Sequence, residues 1–80
     1  MIKVINNKPV DTDDMERIYE GEMGQDIMYH EATHTLYAYD SHDFYEITKD
    51  EAAAIVENTV IRRTERTRLI ELDIIKEGDK

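Results

Sequence analysis

Apolar positions along the chain come in short, closely punctuated groups, which predicts several brief elements rather than long helices. Ile2 and Val4, with flanking Lys3 and Ile5, read as a short strand that ends at Asn6-Asn7-Lys8-Pro9. There Asn supports positive φ and Pro fixes a turn, so a hairpin bend is expected. Asp11-Thr12-Asp13-Asp14 can cap a single helical turn, and Met15, Ile18, Tyr19 and Met23 have the spacing of a short helix, limited by Gly21 and Gly24. From Asp26 to Thr48 the composition turns to Tyr, Thr, Ile and Phe, broken at Asp40-Ser41-His42-Asp43. Thr33, Thr35, Tyr37 and Tyr39 share one parity and Phe44 to Thr48 resumes after the break, the signal of two strands joined by a polar four-residue turn.

Thr48-Lys49-Asp50-Glu51 matches a capping box, in which the Thr hydroxyl accepts from the amide three residues on and Glu51 reaches back to the amide of Thr48. Ala52, Ala53, Ala54, Ile55, Val56 and Glu57 propagate the helix and Asn58 is an acceptable stop, giving a helix over about 49–58. Beyond it, Leu69, Leu72 and Ile75 could line a helix. The alternation of Ile70, Leu72 and Ile74 with Glu71 and Asp73, after β-branched Val60 and Ile61, instead favours strands over 59–76 with the basic run Arg62 to Arg68 partly exposed. The expected fold class is α+β, a small antiparallel sheet of four to five strands with the one capped helix packed on one face. At 80 residues the chain is a single domain, 1–80, whose small core leaves stability marginal, and without cysteine no disulfide supplements it.

Charge changes the picture from fold to partners. All nine net negative charges fall within residues 1–51, where thirteen Asp and Glu face four Lys and Arg; residues 52–80 balance six against six. Such blocks oppose compaction and more often report on what a protein meets than on its architecture. Strong acidity argues against direct binding of nucleic acid, whose affinity comes largely from Lys and Arg on phosphates. It suits a basic, nucleic-acid-handling protein as partner. Asp13, Asp14, Glu16, Glu20, Glu22 and Asp26 are the expected contacts, displayed so as to imitate phosphate spacing; the alternative is that they serve solubility alone. Tyrosines 19, 29, 37, 39 and 45, with Phe44, are too many to bury entirely in so small a core, so some are expected on a contact surface; equally, three could simply be core. The Arg62 to Arg68 run could pair with the acidic region of a second copy, a possible homodimer, or form a solvated face. No apolar run approaches the roughly 20 residues of a membrane helix and no signal peptide opens the chain, so a cytoplasmic protein without membrane contact is expected.

One motif suggests chemistry. His30-Glu31-Ala32-Thr33-His34 spells HExxH, the signature of zinc peptidases, and Asp40 stands where a third ligand sits in some of them, although Tyr37 occupies a position usually glycine. On a helix the two histidines share a face one turn apart; on a strand they lie roughly 13 Å apart, too far for one zinc. The Thr- and Tyr-rich stretch from Tyr29 to Tyr39 predicts a strand, so no metal, cofactor or catalytic residue is assigned, and a zinc peptidase with Glu31 as base is the alternative reading. His42 beside Asp40 and Asp43 reads as a solvated turn rather than a cation site.

The sequence Asn7-Lys8, Asp11-Thr12, Leu36-Tyr37, Tyr45-Glu46-Ile47 and Asp50-Glu51-Ala52-Ala53 resembles the layout of small proteins encoded by phages and mobile elements. Those carry an Asn-Gly-Lys…Asp-Thr hairpin, a β-rich middle ending in a Leu-Tyr strand, and a helix opened by acidic residues and alanine. The resemblance covers residues 1–57, departs where Asn6-Asn7 replaces Asn-Gly, and has no counterpart for the C-terminal region. It implies an inhibitor of host defence of the anti-CRISPR kind, obstructing a basic nucleic-acid-binding surface without catalysis. An antitoxin-like or assembly subunit, stable only in complex, is a further alternative.

Overall fold

The computed structural model describes residues 1–21, 24–57 and 59–76. The fold is α+β, as the pattern predicts: a two-stranded ribbon of β1 (Ile2–Ile5) and β2 (Lys8–Asp11), a four-stranded antiparallel sheet, and two helices. The sheet runs in sequence order through β3 (Met15–Glu20), β4 (Asp26–His30), β5 (Thr35–Tyr39) and β6 (Phe44–Ile47). The helices are α1 (Lys49–Val56) and α2 (Arg63–Glu71). Among the described residues no helix is long and apolar enough to cross a membrane.

Cross-strand pairing sets the faces of the sheet. Tyr19 lies opposite Ile27, Ile27 opposite Ala38, Tyr29 opposite Leu36 and Leu36 opposite Ile47, so these side chains share one face. Ala52 and Val56 of α1, Leu69 of α2 and Ile74 close over that face to form the core. The opposite face carries Tyr37 and Glu46, paired across β5 and β6, and Phe44 opposite Tyr39. There the ribbon lies against β6: Lys3 donates to the His42 carbonyl at 3.2 Å with its ammonium over the Phe44 ring, and Asn6 Nδ2 reaches Glu46 Oε1 at 3.4 Å. Strand β5, between ribbon and helices, therefore buries Leu36, Tyr37 and Ala38 in succession, on both faces.

Two hairpins and the α1 cap match expectation. The first hairpin turns on Asn6 and Asn7 alone, φ 55° and 66°, the two-residue turn that Asn adopts readily; Pro9 sits within β2 rather than in the turn. The α1 capping box is complete, with Glu51 N donating to Thr48 Oγ1 at 3.1 Å and Thr48 N to Glu51 Oε1 at 2.9 Å. The helix closes at Val56, with Glu57 N on Ala53 O; Asn58, the expected stop, lies outside the described residues.

Three expectations are corrected. Residues 15–20 form strand β3, not a helix, and Met23 lies outside the described residues. A bulge between Arg17 and Tyr19 turns the adjacent Ile18 and Tyr19 both into the core, and this produces a helix-like spacing within a strand. The expected strand from Tyr29 to Tyr39 is two strands, β4 and β5, joined by a 3-10 turn at Glu31–Thr33 and by His34 at φ 55°. Residues 63–71 are helical rather than extended. Arg62 N donates to Glu65 Oε1 at 3.0 Å, half of a capping box, since arginine has no acceptor to make the other half. The helix ends in a Schellman motif: Asp73 takes the left-handed conformation at φ 62°, Asp73 N donates to Ile70 O, Ile74 N donates to Leu69 O, and Leu69 and Ile74 are both buried. Tyr19, Tyr29 and Tyr37 are buried and Tyr45 is the exposed one of the five, so three tyrosines are core, one of the two readings the sequence allowed.

Leu69 is wholly buried where α2 meets the sheet, so Leu69→Ala is expected to cost about 2–5 kcal/mol in urea denaturation. Asp73 sits where glycine is the unstrained residue. Asp73→Gly is therefore expected to stabilise the fold by about 0.5–1 kcal/mol and raise the thermal midpoint by several degrees; an unchanged or lower midpoint would count against the left-handed C-cap.

Candidate functional site

Edge strand β3 and the turn before it display most of the carboxylates singled out by the sequence, and the fold brings the basic run of α2 to them. Glu16 pairs across β3 and β4 with Tyr29, and so points to the helix-covered face. Arg68 meets it as a fork, Nη2 to Oε1 at 2.9 Å and Nε to Oε2 at 3.2 Å, with its guanidinium 5.5 Å from the Tyr29 ring centre and Glu71 on its far side. The bond to Glu16 holds the Arg68 guanidinium above its ordinary value. At the N-cap of α2, Arg62 Nη1 reaches Glu20 Oε1 at 3.0 Å, and Glu65 Oε2 accepts the Glu20 amide at 2.8 Å, occupying a donor of the sheet edge. On the opposite face Arg17 Nε lies 3.4 Å from Asp26 Oδ2, while the other oxygen of Asp26 accepts from Gly21 N.

The six expected contacts are thus not equivalent. Glu16, Glu20 and Asp26 are paired within the chain; Asp13 holds the terminal amine at 2.8 Å; Asp14 is exposed and has no ion-pair partner among the described residues; Glu22 lies outside them. The Arg62 to Arg68 run meets the acids of its own chain, through Arg62 and Arg68, where a second copy was one expectation. Exposed pairs of this kind contribute about 0.2–1 kcal/mol each, so the fold does not rest on them. Asp11 accepts from the Asp13 amide, which together with the terminal amine lowers its carboxyl below the ordinary range; Asp13 raises the amine in turn.

A second acidic group, read from the sequence as a solvated turn, was not among the expected contacts. The β5–β6 turn presents Asp40 and Asp43, with Ser41 at φ 80°. Asp40 Oδ1 accepts from His42 N at 2.9 Å and Asp43 N at 2.8 Å, and those two amides hold its carboxyl low. Half-exposed Tyr45 stands beside it, its hydroxyl pushed up first by the charge of Asp40. Glu31, Asp50 and Glu57 are also exposed and have no ion-pair partner among the described residues.

The HExxH residues do not make the helical grip. His30 ends β4, Glu31 opens the 3-10 turn and His34 is left-handed; His30 Nδ1 meets Thr33 Oγ1 at 3.0 Å and His34 Nδ1 meets Tyr29 Oη at 2.8 Å. Asp40 lies beyond the far end of β5, about 17 Å along five strand residues. Among the described residues no three His, Asp or Glu side chains converge on one point.

Because Asp40 is held low in the fold, its ionised form contributes stability at neutral pH. That contribution is expected to vanish as pH falls from the ordinary carboxyl range through the lowered value of Asp40. Asp40→Asn, which keeps an acceptor but does not titrate, should show a shallower acid limb in a stability-versus-pH series, and carboxyl 13C titration should place Asp40 below an unfolded aspartate.

Comparison with known proteins finds no matching family model, no matching curated relative and no matching solved structure, so a functional reading rests on the geometry and charge of the chain itself.

Proposed function

We propose that this is a small acidic, non-catalytic interaction protein that binds and blocks the basic nucleic-acid-binding surface of a partner. The observation that carries the reading is how charge is spent. Arg17, Lys49, Arg62 and Arg68 all face acids of their own chain, so the surplus of carboxylates is left facing outward. The exposed acids include Asp13, Asp14, Glu31, Asp43, Asp50 and Glu57. A surface of this kind accelerates encounter with a cationic groove and makes the complex sensitive to salt.

The internal pairs also rank the contacts. For Glu16 or Glu20 to bind a partner cation, an intramolecular arginine must be given up, an exchange that nets little. Asp13 and Asp14, at the start of β3, meet a weaker competitor or none, and therefore head the contact surface, with Asp26 and Glu22 at its margin. The resemblance to small phage and mobile-element proteins supports an inhibitory role of the anti-CRISPR kind and a cytoplasmic setting.

The test is capture from bacterial lysate at low and high salt, followed by titration of the recovered protein with nucleic acid. The expected result is a basic partner released by salt, whose nucleic-acid binding this protein competes away. Asp13→Lys with Asp14→Lys should weaken capture by about tenfold or more and flatten its salt dependence, while Glu16→Gln changes it by less than about threefold. Affinity unmoved by the double reversal, or a partner that still binds its nucleic acid, would refute the proposal.

A further inference from the structure

Of the five non-glycine residues at positive φ among the described residues, three sit in hairpin bends, Asn6 and Asn7 after β1 and Ser41 after β5. The other two, His34 and Asp73, both line one cleft of about 640 Å³. It opens at the end of the sheet where β5 begins and β6 ends, between the first residues of α1 and the last of α2. Leu36, Ile47 and Leu72 form its apolar lining beside Tyr29, and Glu71, Asp73 and Lys49 bring charge to it. Left-handed conformations of non-glycine residues persist where something else requires the side chain. For His34 that reason lies inside the fold, since its Nδ1 meets the hydroxyl of buried Tyr29 at 2.8 Å. The ion pair of Asp73 with Lys49, at 3.9 Å, joins side chains 61% and 80% exposed and so contributes little. Glycine would relax this turn, yet a carboxylate stands there, at the rim of the cleft.

We infer that this cleft receives an arginine side chain of the basic partner, its stem on Leu72 and Ile47 and its guanidinium between Glu71 and Asp73. The inference rests on the proposed reading of function and names the residue by which the partner is held. The chain itself contains the same arrangement. Arg68 has its guanidinium 5.5 Å from the Tyr29 ring centre, forked on Glu16, with Glu71 Oε1 3.5 Å from its Nη1. An arginine in the cleft repeats this one carboxylate along, with Glu71 shared and Asp73 in the role of Glu16. Two carboxylates flanking Leu72 suit a planar guanidinium, which presents donors on several edges, better than the point charge of a lysine. The long apolar stem covers the lining while the charge stays at the rim. Lys49 competes for Asp73, but weakly. The cleft also continues the acidic contact surface. Asp14 precedes Met15, which lies opposite His30, and exposed Glu31 opens the turn that ends at His34. The Asp13–Asp14 surface and the cleft thus leave the same end of the sheet, the first steering a basic partner and the second anchoring it.

The probe is Nα-acetyl-arginine amide, titrated into isotopically labelled protein and followed by 1H–15N correlation spectra. Saturable shifts are expected at the amides of Thr35, Ile47, Lys49, Leu72 and Asp73, with an affinity on the order of millimolar for a single side chain. Nα-acetyl-citrulline amide, of the same shape without the charge, should leave those amides unmoved, and Nα-acetyl-lysine amide should bind several-fold more weakly. Asp73→Gly is the decisive variant. It is expected to raise the thermal midpoint while weakening the arginine probe by about fivefold or more, so the loss cannot be ascribed to a damaged fold. Lys49→Ala, which removes the competitor, should tighten the probe by about threefold. Shifts that are absent or confined to residues outside the cleft, citrulline binding as well as arginine, or a probe indifferent to Asp73→Gly would each overturn the inference. Capture from lysate separates it from the functional reading. A basic partner whose capture ignores Asp73→Gly sinks the cleft and leaves that reading intact, whereas a probe that binds where no basic partner is captured keeps the arginine site and sinks the reading.

Discussion

The seating of α2 across β3 is the contact on which the rest of the molecule depends. A four-stranded antiparallel sheet of this length has one face to bury, and α1, with two fully buried positions, covers only part of it. Leu69 and Ile74 complete the cover, and they arrive together because the Schellman turn folds the chain back directly over Leu69. The same seating carries Arg62 and Arg68 to Glu20 and Glu16, so a charge division that looks extreme along the sequence is partly cancelled in space. Hydrophobic burial decides the position and the ion pairs adjust it: one leucine of this kind is worth more than both exposed pairs together.

From that seating follows the three-layer order of helices, sheet and ribbon. With α1 and α2 on one face, the other face of β5 would leave Tyr37 in water were it not for the ribbon. Burial and the nearby Glu46 carboxylate push the Tyr37 hydroxyl up, consistent with a phenol kept neutral beneath a covering layer. The other buried tyrosines are satisfied by name: Tyr19 donates to Thr59 Oγ1, which donates to the Val56 carbonyl at the end of α1, and Tyr29 meets His34. No buried side-chain polar atom among the described residues lacks a partner. The core beneath the helices tolerates Tyr19 and Tyr29 because each hydroxyl finds a partner, Thr59 just beyond α1 and His34 in the β4–β5 turn.

Elements whose signals are local were legible in the sequence. The Thr48 capping box, the Asn6-Asn7 bend and the hairpin across Asp40 to Asp43 each depend on residues within a few positions of one another, and the structure contains all three. Those that depend on tertiary context were misread. The Ile18–Tyr19 bulge mimics a helical period, and only pairing with β4 shows that two neighbours share a face. Helix α2 resembles strands because its Schellman position holds Asp73 where glycine would have announced the end, and because the alternation of Ile70, Leu72 and Ile74 straddles that end. The break at residues 31–34 did leave a trace: core positions facing the helices are odd at Ile27 and Tyr29 and even at Leu36 and Ala38, a change of parity that a strand without a bulge does not carry. Of the candidate contacts, the acids were found but their internal partners were not, since nothing in the order of residues reveals that Arg68 crosses β3 at Glu16.

Charge and fold are therefore largely separable in this protein. The buried core is apolar throughout, and nearly every ionised side chain stands at the surface, in pairs that contribute little. Charge can then be rearranged across the exterior without disturbing packing, as long as Arg68, folded over Tyr29, and Asp26, which anchors Gly21, are kept. The same separation explains why a chain so acidic remains compact. Self-repulsion is spread over a surface in water, where screening reduces it, while cohesion comes from a core that carries no net charge. Selection on partners can act on the exposed carboxylates without disturbing the fold, because they are not needed to hold the sheet against its helices.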